Sequence, residues 1–285
     1  MRKFFNIFRI TGYQLQQLLH NPRLYVIVFC NFIFLWSLLS SFRRFLEAYD
    51  GTATPFLFPF LFTHASVVFC FLSGIVILFS NAPFFNRSQR FLTIRAGKTV
   101  WALGQIMYLV IGSFLYFCLL YFMSVLFLIP HLSLKIEWGG AWNTLARTDL
   151  GLAYGVEVSV SQNMINRFQP LEALGYTMLM GVLNSVFLGL ILFAGNLFFR
   201  REVGIAAAML LILAPYRLVF MPTFVHYIVT TAWMDPSYMF HIMGYQGPNW
   251  GQQIHILCLH FCVSGGSDAK TCLRRKFRRK FSNLP

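Results

Sequence analysis

The chain has 285 residues, 57% of them hydrophobic and 11% charged, with a mean hydropathy of +0.62 and a formal net charge of +14. A soluble globular domain carries about 25% charged residues, so this composition excludes a water-soluble fold and predicts an all-α polytopic membrane protein. In such a chain basic residues gather in cytoplasmic loops facing anionic lipid, and no nucleic-acid partner is expected.

In chain order, residues 4–19 come first (FFNIFRITGYQLQQLL). Phe4, Phe8, Thr11, Leu15, Leu18 and Leu19 recur at helical spacing, with Arg9, Gln16 and Gln17 elsewhere on the wheel. That pattern predicts an interfacial helix that ends at Asn21-Pro22. A membrane helix needs about 20 mostly apolar residues. Uncharged runs predict spans near residues 24–42, 55–80, 101–129, 171–199 and 204–222, with a shorter sixth candidate at 251–263. The first run is long enough to span and lacks a small-residue cleavage pattern, so it is read as a span rather than a leader. The whole of 1–285 is read as one transmembrane domain.

Between the second and third runs lies a basic, aromatic loop, residues 81–100, with Phe84, Phe85 and Phe91 among Arg87, Arg90, Arg95 and Lys98. Gly97-Lys98-Thr99 resembles the end of a phosphate-binding loop. The first glycine of that motif would have to stand at Leu92, and Thr93, Ile94 and Arg95 crowd the backbone that would cradle phosphate. Apolar side chains beside cations suit a partner's groove, and the charges also set topology. The 130–170 connection is long and carries Trp138, Trp142 and Leu145 beside Gly139 and Gly140. A second segment, 223–250, is apolar but interrupted at Asp235-Pro236 and predicts re-entrant or interfacial helices. The tail, 264–285, is strongly basic.

Lys and Arg alternate in density from loop to loop. Arg2, Lys3, Arg9 and Arg23 precede the first run without an acid, and the 81–100 loop is likewise basic. Arg200 and Arg201 follow the fourth run, and the tail carries Lys270, Arg274, Arg275, Lys276, Arg278, Arg279 and Lys280. The other loops are balanced or acidic. This predicts six spans with both termini cytoplasmic. The sequon Asn86-Arg87-Ser88 then lies on the side where it is not glycosylated.

Chemistry inside the membrane is sparse. The runs hold His64, His255 and His260 and the amides Asn31, Gln105, Asn184 and Asn196, with no carboxylate to pair with a histidine. No catalytic constellation, metal site or proton relay is expected. The six cysteines include no CxxC pair and are read as small hydrophobes. Gly181, Ser185 and Gly189, spaced by four, predict a small-residue face for close helix packing.

An interfacial N-terminal helix, six spans with cytoplasmic ends and a basic-aromatic loop after the second span form a layout that resembles the permease subunits of type-2 ABC exporters. The stretch FFNRSQRFLTIRAGKTVWALGQIMYLVIGSFLYF looks like that family's coupling loop leading into the third span. The resemblance implies that Phe84, Arg87, Arg90, Phe91, Arg95 and Lys98 contact a separately encoded ATPase, with ATP and Mg on that partner. It also implies a homodimer or a heterodimer with a second permease, in a bacterial plasma membrane. The 130–170 loop is longer than the family's compact form. Two other classes fit less of the sequence: an ion-coupled secondary transporter, which predicts internal repeats and broken helices, and a membrane-embedded enzyme, which needs paired acids or a nucleophile with its base.

Overall fold

The computed structural model describes residues 2–49, 51–80, 97–198, 201–216, 229–234, 236 and 253. Its longer elements are helices: α1 (Arg2–Leu19), α2 (Pro22–Tyr49), α3 (Phe58–Leu61), α4 (Ala65–Phe79), α5 (Lys98–Leu126), α6 (Gly140–Arg147), α7 (Leu150–Ala153), α8 (Gln162–Arg167), α9 (Pro170–Phe198) and α10 (Arg201–Leu213). The β contact among the described residues is one parallel bridge, Ala53 to Leu132.

Among the described residues three helices are long and apolar enough to cross a membrane: Pro22–Tyr49, Thr99–Leu126 and Pro170–Asn196. At 1.5 Å per residue each extends about 40 Å, more than the roughly 30 Å hydrocarbon core. Their surfaces explain the composition. On α2 the buried face is Ile27, Asn31, Leu35, Leu38, Phe42, Phe45 and Leu46, while Val26, Phe29, Ile33 and Trp36 are exposed on the other face. A helix apolar all round suits lipid rather than water, so these helices are compatible with an integral membrane protein. Asn21 accepts a hydrogen bond from the Arg23 N–H (3.1 Å) and Pro22 fills the first helical position, which starts α2 where the sequence places the turn.

The apolar run from residue 55 to 80 is not one continuous helix. Helix α3 is a single turn with Pro59 in its first turn, where a missing amide donor is tolerated, and it ends at Phe62. The Thr63 hydroxyl donates to Phe60 O (2.8 Å), and His64 is extended at φ −92°, ψ 118°. Helix α4 therefore starts afresh at Ala65, with 15 residues.

The helices α2, α4, α5 and α9 run up and down between two distinct ends. At one, called here the loop end, Ser80 and Asn196 lie together with the start of α2, and Trp101 in the first turns of α5 meets Phe193 of α9 (6.3 Å). The other is covered by a folded cap. There the Trp142 indole donates to Thr54 Oγ1 (3.0 Å) and stacks on Phe42 (4.9 Å) and Phe60 (5.3 Å), while Trp138 donates to Phe168 O (2.9 Å). Phe45 stacks on Tyr49 (5.8 Å) and meets Tyr154 edge-on (5.7 Å). The 130–168 connection thus packs on the end of α2 beyond Arg43. Beneath it Phe58 and Phe62 of the α3 region meet Phe71, Phe117 and Tyr121 at centroid distances of 5.8 to 6.4 Å.

Helix α9 is the most buried of the three long helices, packed against α4, α5 and α10. Mid-bundle, Asn31 donates through Nδ2 to Tyr116 Oη (3.1 Å), and Tyr116 donates to Phe71 O (3.0 Å). This node links α2, α4 and α5 where no water reaches, which is where an unmade hydrogen bond costs most. Tyr176 Oη ties α9 to Trp233 O (2.7 Å) and Gln253 Oε1 (2.8 Å).

Candidate functional site

The loop end is the best-defined polar junction next to the basic loop. Ser80 closes α4 and is buried. The Arg23 Nη1 at the start of α2 donates to its hydroxyl (3.2 Å), and Asn196 Nδ2 near the end of α9 donates to its carbonyl (3.1 Å). The Ser80 hydroxyl in turn donates to Ile77 O (2.9 Å). Three helices are therefore clasped on the residue from which the basic loop departs, and one of the clasps is charge-assisted.

The return point is equally definite. Gly97 has φ +86°, a conformation that side chains other than glycine rarely adopt, and its carbonyl accepts the Trp101 N–H (3.1 Å) to open α5. The glycine of the GKT triplet is thus a helix start. Thr99 stands in the first turn and Trp101 is fully buried below it.

Helix α1 packs along α5 more extensively than any other pair of helices meets. Thr11 Oγ1 donates to Gly104 O (3.2 Å), and a Cβ on Gly104 would stand 2.9 Å from Ile10 Cγ2, so glycine permits the contact. Ile10, Thr11, Gln14 and Leu18 form the buried face. The exposed face of α1 carries Phe5, Phe8 and Leu19, with Arg9 and Gln16 alongside them.

Of the residues singled out for partner contact, Phe84, Arg87, Arg90, Phe91 and Arg95 lie outside the described residues. Lys98 is the first residue of α5. Gly181, Ser185 and Gly189 all lie buried on α9. A Cβ on Gly181 would run into the Phe117 ring of α5, and one on Gly189 would stand 3.0 Å from Leu109 Cδ2 and 3.4 Å from Phe79 Cδ2.

Several contacts go beyond what residue types foretell. A Cβ on Gly195 would collide with the Gly204 backbone, so α9 and α10 touch main chain to main chain. Gly195 and Gly204 stand five residues before Arg200 and three after Arg201, on either side of the basic pair. The Arg23–Ser80 bond left no local sign, because its partners are 57 residues apart. Among the described residues no three His, Cys, Asp or Glu side chains come together to hold a metal ion. Cys30, Cys70 and Cys118 are free thiols. Comparison with protein-family models, with curated proteins and with solved structures gives no match.

Proposed function

We propose that this chain is the membrane-spanning permease subunit of an ATP-driven exporter of the type-2 ABC kind. The clasp of α2, α4 and α9 on Ser80, at the foot of the basic-aromatic loop, carries this reading. A push on a loop so rooted reaches three helices at once. The described helices supply three long spans and two shorter apolar ones, Ala65–Phe79 and Glu202–Tyr216; with the 251–263 run they make the proposed six. Both termini then lie in the cytoplasm of a bacterial plasma membrane. In this arrangement α1 is the interfacial helix, with one face on α5 and its exposed face, Phe5, Phe8 and Leu19 beside Arg9 and Gln16, at the lipid–water boundary.

In this reading the chain forms the substrate path as a homodimer or with a second permease. Phe84, Arg87, Arg90, Phe91, Arg95 and Lys98 dock a separate ATPase that holds ATP and Mg. Purification from native membranes in mild detergent, followed by mass spectrometry, should return a stoichiometric subunit bearing a phosphate loop. Repeated recovery of the chain alone would count against the proposal. With the partner in hand, Arg90→Glu combined with Arg95→Glu should uncouple ATP hydrolysis from transport while insertion stays normal. Unchanged coupling in that variant removes the loop from the docking role.

One observation favours a second reading, an ion-coupled carrier. The interruption at Phe62–His64 divides an apolar run, and broken helices are common at carrier ion sites. The break nevertheless lies among aromatic rings under the cap, and the uncharged runs offer no carboxylate to bind a coupling ion.

A further inference from the structure

Helices α5 and α9 are antiparallel neighbours whose register is fixed by two contacts, Gly181 on Phe117 and Gly189 on Leu109. Ser185 stands one turn from each of these glycines, and Ser113 one turn from both Phe117 and Leu109. The two serines therefore occupy the same level of one seam, near the middle of both helices. Asn184 precedes Ser185, about 100° around α9, and Gln105 lies on α5 about two turns toward the loop end. All four side chains are at most 1% exposed. Serine and asparagine often join membrane helices by hydrogen bonds across the interface, but these do not. Ser113 Oγ, Ser185 Oγ, Asn184 Oδ1 and both amide atoms of Gln105 have no partner, and Asn184 Nδ2 bonds its own helix at Met180 O (2.9 Å).

Buried polar groups are nearly always paired, and each that is not weakens the closed packing. Such groups at one seam raise the cost of the closed packing, and a solute that pairs with them would offset it. The chemistry of that solute follows from what surrounds them. The seam offers hydroxyls and amides, which donate and accept. From Thr99 to Leu126 and from Ala173 to Phe198 there is no Asp, Glu, Lys, Arg or His, so an ion would find no counter-charge. We propose that the α5–α9 seam opens as the polar lining of a path for uncharged, hydrogen-bonding solutes, with Ser113 and Ser185 as its central contacts and the unpaired amides of Gln105 and Asn184 beside them. The proposal rests on the transport reading and adds the substrate class to it.

The test uses Ser113→Cys and Ser185→Cys, near-isosteric changes on opposite helices, in the full chain in native membranes. Leu35→Cys, equally buried but on α2 and away from the seam, is the reference. Each is exposed to methyl methanethiosulfonate and to similar reagents bearing a trimethylammonium or a sulfonate, and modification is read site by site by mass spectrometry. The uncharged reagent should modify both seam cysteines about tenfold faster than Leu35→Cys, and the charged ones should not exceed that reference. Equal, slow reaction at all three sites would mean that the seam stays shut and only packs. Charged reagents reacting as fast as the neutral one would overturn the assigned substrate class. The readout needs no ATPase, so an open seam in a chain that purifies alone would retain the path and discard the exporter assignment.

Discussion

Gly74 has no room for a methyl group. A Cβ there would run into the Tyr116 hydroxyl and stand 2.9 Å from Ile27 Cγ2. The node that Tyr116 forms with Asn31 and Phe71 O depends on this one missing side chain. Gly74→Ala should therefore cost about 1–3 kcal/mol in thermal unfolding of the detergent-solubilised protein. Tyr116→Phe alone should cost about 0.5–1.5 kcal/mol for its lost hydrogen bonds. The two should combine to less than their sum, because removing the hydroxyl removes the larger clash; strict additivity would place the two groups out of contact. The sequence names Asn31 as a polar residue in an apolar run, but its partner is 85 residues away and had no local signature.

Glycines set the spacing of whole helices as well. Gly195 and Gly204 bring α9 and α10 into backbone contact, whereas a Cβ on Gly175, also on α9, would meet nothing within 4 Å. Gly195→Ala should lower stability by about 1–3 kcal/mol because no side chain can move aside. Gly175→Ala should be neutral or stabilising by up to about 1 kcal/mol, from helix propensity alone. Chemical or thermal denaturation of the two variants side by side decides the matter. The long helices were legible because an uncharged run of the right length has few alternatives: the predicted runs 24–42, 101–129 and 171–199 coincide with α2, α5 and α9 to within a few residues, apart from the extension of α2 to Tyr49. The 55–80 run misleads for the same reason. Hydropathy does not register that the backbone is extended at His64, nor that Phe56, Phe58, Phe60 and Phe62 belong to the cap end's aromatic core.

Across the molecule the two ends have opposite characters, one basic and one aromatic. In the proposed topology a membrane-impermeant maleimide should reach Leu152→Cys, 80% exposed on the cap, from outside intact cells. Gln16→Cys, exposed on α1, should react only in inverted vesicles. Reaction of both from one side would overturn the orientation. The cap should also fail as a unit. Trp142→Ala removes a fully buried ring that bridges Phe42, Phe60 and Thr54, a loss of about 3–5 kcal/mol. Proteolysis of the 130–168 segment in intact cells should then accelerate while the loop end, cut only in inverted vesicles, keeps its rate.

Composition and charge spacing were enough to require helices, to place the three long ones and to mark the basic loop, because a bilayer leaves an apolar backbone little choice but to satisfy its own hydrogen bonds. They could not say which polar groups meet. Ser80 joins Arg23 and Asn196, and Tyr116 joins Asn31, only when helices far apart in sequence pack side by side. The unpaired serines of the α5–α9 seam likewise become informative only when glycines at Gly181 and Gly189 fix the register that sets them level.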